Sequence, residues 1–208
     1  MPRPKKTAAE KQITRNRILD CANEILQQEG PEAMSSRAIA ERMGMAHMSL
    51  YTYFTNQGDI LQSLAEREWT RHSAQLDQIA VHLTPETVIF VVQHVLQYMS
   101  AYAVENPNIY KLAWISPHMG FESHEQNLAR LHGVAEQFSR VLAFGIDSRV
   151  LTQRDPMVAA MTALTMMNAP FFLYYSGKIS SMAICTRIAA EMYTSALQYL
   201  GATSPTDA

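Results

Sequence analysis

Apolar residues along this chain recur at the three- and four-residue spacings of an α-helix, and no run shows the alternation of β-branched residues that marks a half-buried strand. Capping residues and breakers divide the chain into about nine helices, which predicts an all-α fold. The first is expected over residues 14–28, with Ile18, Ala22, Ile25 and Leu26 on one face and Gly30-Pro31 as its stop. Ser35 is placed to cap a short helix that Gly44 breaks, with Met34 and Ile39 as a hydrophobic staple. A third short helix reaches about Tyr53. Asn56 and Asp59 then open a long helix whose Leu61, Leu64, Ala65, His72, Leu76 and Ile79 keep one face. Thr84-Pro85-Glu86 starts a helix buried through Val88, Val91, Val92, Val95, Met99 and Tyr102. A short helix follows Asn106-Pro107, and Ser123 with Gln126 forms a capping box for one that Gly145 closes. Asp155-Pro156 opens an uncharged helix containing Pro170, and a last helix over residues 181–200 ends at Gly201.

Composition narrows the class. With 208 residues, 48% of them hydrophobic, the chain can bury a sizeable core. Its two cysteines, Cys21 and Cys185, lie too far apart to suggest a disulfide framework or zinc-ligand spacing, and a reducing, cytoplasmic setting is expected. The N-terminus has no apolar stretch of the secretory type. The segment "MVAAMTALTMMNAPFFLYY", residues 157–175, carries no charge, but Thr162, Thr165, Asn168 and Pro170 dilute it. It reads as a helix covered by a partner, and no membrane span is expected. There is no nucleophile elbow, phosphate-binding glycine loop or paired-carboxylate motif, so no catalytic residue, metal or cofactor is expected. Net charge is −2, yet six of the first 17 residues are Lys or Arg (Arg3, Lys5, Lys6, Lys11, Arg15, Arg17) against Glu10 alone.

That basic end precedes the stretch "AERMGMAHMSLYTYF", residues 40–54. Two short helices joined by a glycine-containing turn describe a helix-turn-helix, whose second helix enters the DNA major groove. Gly44 supplies the positive φ the turn requires. Ile39, Ala40, Met45 and Leu50 fall where the two helices would pack, leaving His47, Met48, Ser49 and Thr52 pointing away. With Ile18, Ala22, Gly30, Ser35, Ile39-Ala40, Gly44, Ser49-Leu50-Tyr51, Phe54 and Ile60 all in register, residues 14–61 resemble the N-terminal domain of the tetracycline-repressor (TetR) family of transcriptional regulators.

The resemblance implies a role for each matching position. Arg37 would reach a base edge or phosphate, His47, Met48 and Ser49 would face bases with Thr52 beside them, and Tyr51 and Tyr53 would place hydroxyls near phosphates. Phe54 would turn into the core. Ser35 or Ser36 could bind phosphate, and Gln57 would hydrogen-bond phosphate where the family commonly carries a lysine. Ala46 replaces the usual Ser or Thr cap of the recognition helix, a loss of about 1 kcal/mol.

The expected layout is a basic disordered arm over residues 1–13, a DNA-binding domain over 14–58, an effector-binding and dimerisation domain over 59–201, and a disordered tail over 202–208. Tyr98, Tyr102, Trp114, His118, Met119, Phe121, His132, Asn168 and Tyr174 are candidates for the wall of an effector pocket, and their low charge favours a small hydrophobic or aromatic ligand. Met161, Leu164, Phe171, Ile188, Met192, Ala196 and Leu200 lie on the last two helices, where the family makes its two-fold interface. A homodimer predicts a pseudopalindromic operator, and a ligand-released repressor is the expected function. The alternative is a helical protein-interaction module without specific DNA binding.

Overall fold

The computed structural model describes residues 7–114 and 124–202. Among them are nine α-helices and no strand, as the hydrophobic periodicity predicts. They are α1 (Ala8–Glu29), α2 (Ser36–Arg42), α3 (His47–Leu50), α4 (Gln57–Ala80), α5 (Val88–Glu105), α6 (Pro107–Trp114), α7 (His124–Asp147), α8 (Pro156–Tyr175) and α9 (Met182–Leu200), with a single 3₁₀ turn at Pro31–Ala33.

The chain forms two compact units. The first is Met1–Glu68 with Asn106–Glu122, of which residues 7–68 and 106–114 are described; the second is Trp69–Glu105 with Ser123–Ala208. The boundary expected at residue 58 thus falls later, because the first turns of α4 are tied to α1. Arg67 Nη1 donates to Asp20 Oδ1 at 2.6 Å and Nη2 to the Leu19 carbonyl at 3.2 Å, while Arg15 Nη2 donates to Ser63 Oγ at 2.6 Å.

Helix α1 also starts earlier than the expected residue 14. Thr7 accepts from the Glu10 amide while the Glu10 carboxylate accepts from the Thr7 amide, a capping box that makes residues 8–13 helical and not an unstructured arm. Residues 1–6 lie outside the described part. At the other end, Ala202 is buried and its amide bonds the Leu197 carbonyl at 2.9 Å, so the expected tail loses its first residue to the fold. Residues 203–208 lie outside the described part.

In the second unit, Val88, Val92, Leu96, Phe138, Leu142, Ala160, Ala163 and Met167 form the centre of one core contributed by α5, α7 and α8, completed by Ala196 and Leu200 of α9. Each large side chain of this kind stabilises the fold by about 1.5–3 kcal/mol relative to exposure. Gly145 does not close α7, which runs on to Asp147 and ends at Arg149 in the left-handed region with φ 60°. Glycine is needed there for space: a Cβ on Gly145 would lie 2.6 Å from Leu151 Cδ1 and 2.9 Å from Val88 Cγ2. Gly201 does end α9, in the left-handed conformation with φ 71°.

Candidate nucleic-acid interface

The helix-turn-helix of the first unit is held by local chemistry and by three distant anchors. Ser35 caps α2 by accepting from the Ala38 amide at 3.1 Å, and Met34 and Ile39 are both buried, as a staple requires. The chain leaves α2 through Gly44 at φ 62°, and the Met45 amide bonds back to the Ala40 carbonyl at 3.0 Å. A Cβ at Gly44 would meet nothing within 4 Å, so the glycine is required for its backbone conformation alone. Gly44→Ala is expected to cost about 1–2 kcal/mol of unfolding free energy, and Gly44→Asn clearly less, in urea titrations of the two variants.

Helix α3 has only four residues and no side-chain cap at Ala46. It continues as a tight turn in which the Tyr53 and Phe54 amides both bond the Leu50 carbonyl, at 2.9 and 3.1 Å. Leu50 is fully buried and Phe54 nearly so, which fixes the inner face. Met48 is 73% exposed, Arg37, Tyr51 and Thr52 are exposed, and His47, Ser49 and Tyr53 are half-buried. A guanidinium, a thioether, hydroxyls and an imidazole are thus all at least partly exposed on α2 and the segment that follows it.

Two expected phosphate ligands are engaged otherwise. Gln57 turns inward, its Nε2 donating to the Met34 carbonyl at 2.9 Å and its Oε1 lying 3.5 Å from the Ser36 amide, so it pins the start of α2. Ser36 is only 7% exposed, and its Oγ lies 2.9 Å from His47 Nε2 and 3.2 Å from the Tyr51 hydroxyl. The pattern of helix starts placed both near phosphate; the pairing of α2 with α3 and α4 takes them inward.

In the sequence Arg15 reads only as part of the basic end. It donates to the Tyr53 carbonyl at 2.6 Å, sits 3.5 Å from Asp59 Oδ1 and stacks its guanidinium 4.0 Å over the Phe54 ring. Its partners lie 38 or more positions away, so no local pattern could reveal them. The residue anchors the end of the recognition segment.

The expected effector residues of the second unit are only partly gathered. Tyr98 and Tyr102 of α5 flank buried His72 of α4, with ring centroids 5.0 and 4.7 Å from the imidazole and His72 Nδ1 3.0 Å from the Tyr98 hydroxyl. Burial lowers the His72 pKa to about 4. Tyr174 packs edge-on against Tyr175, whose hydroxyl donates to the Ala103 carbonyl at 2.8 Å. Asn168 is half-buried, whereas His132 is exposed on α7 and does not line an enclosed wall. The Trp114 side chain, His118, Met119 and Phe121 lie outside the described residues. An open groove of about 490 Å³ between α5 and α9 is lined by Gln97, Ser100, Val104, Glu105, Ala190 and Tyr193 among others, and none of the expected effector residues borders it.

Three residues expected at a dimer surface, Phe171, Ala196 and Leu200, are buried within the chain itself, because α8 and α9 pack first on each other and on α5 and α7. They can add no area to a second copy. Met161 is exposed, and Leu164, Ile188 and Met192 are half-buried. Helix α8 is apolar and long enough, at 20 residues, to cross a bilayer by composition; it carries buried Ala159, Ala160, Ala163, Met167, Pro170 and Phe171 on its inner side.

An all-helical chain whose first unit is a helix-turn-helix with an open polar-apolar recognition face has the architecture of helical DNA-binding regulators. Residues 18–64 match the family model described as bacterial regulatory proteins, tetR family. The HTH-type transcriptional repressor KstR of Mycobacterium tuberculosis is 40% identical over 67 residues, 32% of this chain and 30% of that repressor. YobS of Bacillus subtilis, an HTH-type transcriptional regulator, is 28% identical over 106 residues, 51% of this chain and 54% of YobS. The chain thus spans about a third to a half of the length of these curated relatives. The fold extends much further. A TetR transcription regulator from Haloarcula marismortui superposes with a TM-score of 0.75 at 17% identity, covering 92% of this chain and 98% of that one. Reduced NemR of E. coli gives 0.71 at 12% identity, covering 92% and 100%. Residues 18–64 are thus similar to the DNA-binding domain of the TetR family, and the described chain has the fold of solved TetR-family structures.

Proposed function

We propose that this protein is a sequence-specific, DNA-binding transcriptional regulator that acts as a homodimer and is released from its operator by a small hydrophobic or aromatic effector, as a cytoplasmic repressor. The observation that carries the reading is the recognition face itself: Met48 stands 73% exposed on a segment whose opposite side, at Leu50, is completely buried. A thioether held in water by a rigid scaffold is suited to a thymine methyl, and exposed Arg37 to guanine O6 and N7 or to phosphate. The KstR relatives, 40% identical over 67 residues, are repressors by name.

Dimerisation is supported by the outer face of α8, where Val158, Met161, Thr165, Asn168 and Phe172 follow the alternating three- and four-residue spacing of a helix seam. Val158, Met161 and Phe172, with Ile184 on α9, are large exposed apolar side chains that a second copy would cover. Two recognition helices related by a two-fold axis would read half-sites about one helical turn apart. Helix α4 begins at the recognition segment and carries His72 between Tyr98 and Tyr102. An effector that repacks these rings would bias the position of α4, and reciprocity requires DNA to weaken effector binding by the same factor.

Selection of genomic fragments by the purified protein, followed by anisotropy titrations at increasing salt, tests the reading. A competitor-resistant complex on pseudopalindromic sites, with affinity falling linearly in log salt, is expected. Binding that ignores sequence at every salt concentration would overturn it.

A further inference from the structure

Two hydroxyl groups converge on one nitrogen of a residue that faces the recognition surface. Ser36 Oγ lies 2.9 Å and the Tyr51 hydroxyl 3.4 Å from His47 Nε2, and the two oxygens are 3.2 Å apart. The imidazole and phenol rings meet edge-on at 5.3 Å. Ser36 is almost completely buried on α2, whereas His47 and Tyr51 belong to the recognition segment. The triangle therefore spans the two helices of the motif, and its buried member is not itself able to touch DNA.

Each group in the triangle has a definite hydrogen-bonding preference. A phenol is the most acidic hydroxyl of the set, hence its best donor, and a neutral imidazole nitrogen is its best acceptor. The arrangement that uses both runs Tyr51 O–H to Ser36 Oγ and Ser36 O–H to His47 Nε2. Both buried Ser36 roles, acceptor and donor, are then filled within the domain. The reverse order would make the phenolic oxygen accept from serine and leave the imidazole lone pair pointing outward. A neutral ring has one N–H, so an accepting Nε2 places the proton on Nδ1. Among the described residues Nδ1 has no hydrogen-bond partner.

We propose that Ser36, with Tyr51, fixes His47 as the Nδ1–H tautomer, so that this regulator offers DNA a hydrogen-bond donor at His47 and selects an acceptor edge there, such as guanine N7 or O6. Ser36 is thus a positioning residue for base specificity that makes no contact with the base. The inference rests on the reading of the chain as a DNA-binding regulator for its consequence, but not for the tautomer itself. A histidine whose ring proton was unassigned could present a donor or an acceptor, and would discriminate poorly between bases whose edges differ in just that respect.

The tautomer is directly observable. In ¹⁵N-labelled full-length protein at a pH where His47 is neutral, long-range ¹⁵N–¹H correlation is expected to show Nε2 as the unprotonated nitrogen and Nδ1 as the protonated one. Ser36→Ala and Tyr51→Phe, each checked by its thermal melt and amide spectrum, are expected to shift the population towards Nε2–H; Ser36→Thr, which restores a hydroxyl, is expected to return it. In a randomised-operator selection, Ser36→Ala should reduce discrimination at one base pair per half-site from about tenfold to about twofold, with the other positions unchanged. Wild-type protein with the proton on Nε2 would overturn the proposal, as would Ser36→Ala protein with an unaltered tautomer or an unaltered base preference. If no DNA is bound specifically by wild type, the regulator reading and the specificity role both fall, while the nitrogen shifts still report separately on the tautomer.

Discussion

Leu50→Ala is expected to destabilise the first unit by about 2–5 kcal/mol and to abolish specific DNA binding. Leu50 is fully buried and is the only buried residue of α3. A helix of four residues has no stability of its own, because nucleation costs more than so few hydrogen bonds return, and Ala46 offers no cap. What holds the segment is its side chain in the core and the two amides, of Tyr53 and Phe54, that bond the Leu50 carbonyl. Removing three carbons from that fully buried site leaves a void whose cost adds to the lost transfer free energy. Against a typical domain stability of about 5–15 kcal/mol, the loss is a large fraction. Hydrogen exchange read peptide by peptide should show residues 35–54 losing protection by roughly thirtyfold to several thousandfold, at about 1.4 kcal/mol per tenfold. Met48→Ala is the comparison: a side chain 73% exposed should leave stability within about 0.5 kcal/mol while weakening operator binding. Equal destabilisation by the two substitutions would contradict the assignment of inner and outer faces.

The contrast between Leu50 and Met48 also shows what the sequence makes legible. The burial of Ile18, Ala22, Ile39 and Leu50 follows from helical period and from Gly44, since those signals are local, whereas that of Phe54 was implied only by the family resemblance. The exposure of Met48 and Thr52 follows from the same period by subtraction, and that of Arg37 from the resemblance. Gln57 and Ser36 find partners within the chain that their sequence positions do not reveal: a polar residue at a helix start looks like a phosphate ligand until a partner element is known to lie over it. Here α2 and α4 meet, and Gln57 spends its amide on the Met34 carbonyl. Arg15 is the extreme case, because a cation near a basic N-terminus gives no hint of Phe54, Tyr53 and Asp59.

In the second unit, apolar periodicity located the core but could not separate residues facing the chain's own interior from residues facing outward. Helices α8 and α9 have apolar positions on more than one side, so Phe171, Ala196 and Leu200 were assigned outward although α5 and α7 enclose them. The large exposed apolar side chains of α8 are instead Val158, Met161 and Phe172. His72 fell on the buried face as its spacing requires, yet its enclosure by Tyr98 and Tyr102 depends on how α5 packs against α4. A single helical period contains no such information.

That enclosure gives the second large effect: lowering the pH from 7 to 4 is expected to remove about 3 kcal/mol of stability through His72 alone. Burial disfavours the imidazolium, so the folded chain holds the His72 pKa at about 4, below the ordinary 6.5 of the unfolded chain. Between those values the unfolded state binds a proton that the folded state does not. The stabilisation is therefore complete above pH 6.5 and declines as pH falls towards 4, after which both states are protonated and the loss levels off. Its slope approaches 1.36 kcal/mol per pH unit in mid-range. Other groups titrate over the same interval, so the measurement is the difference between wild type and His72→Phe in urea-unfolding free energy from pH 7.5 to 3.5. The variant keeps a ring between Tyr98 and Tyr102 but loses the Nδ1 contact with the Tyr98 hydroxyl. That lost contact shifts its whole curve by a constant, whereas the missing titration changes the shape. Parallel curves would mean that His72 takes up its proton equally well in the folded chain, and that the aromatic enclosure does not exclude water from the ring.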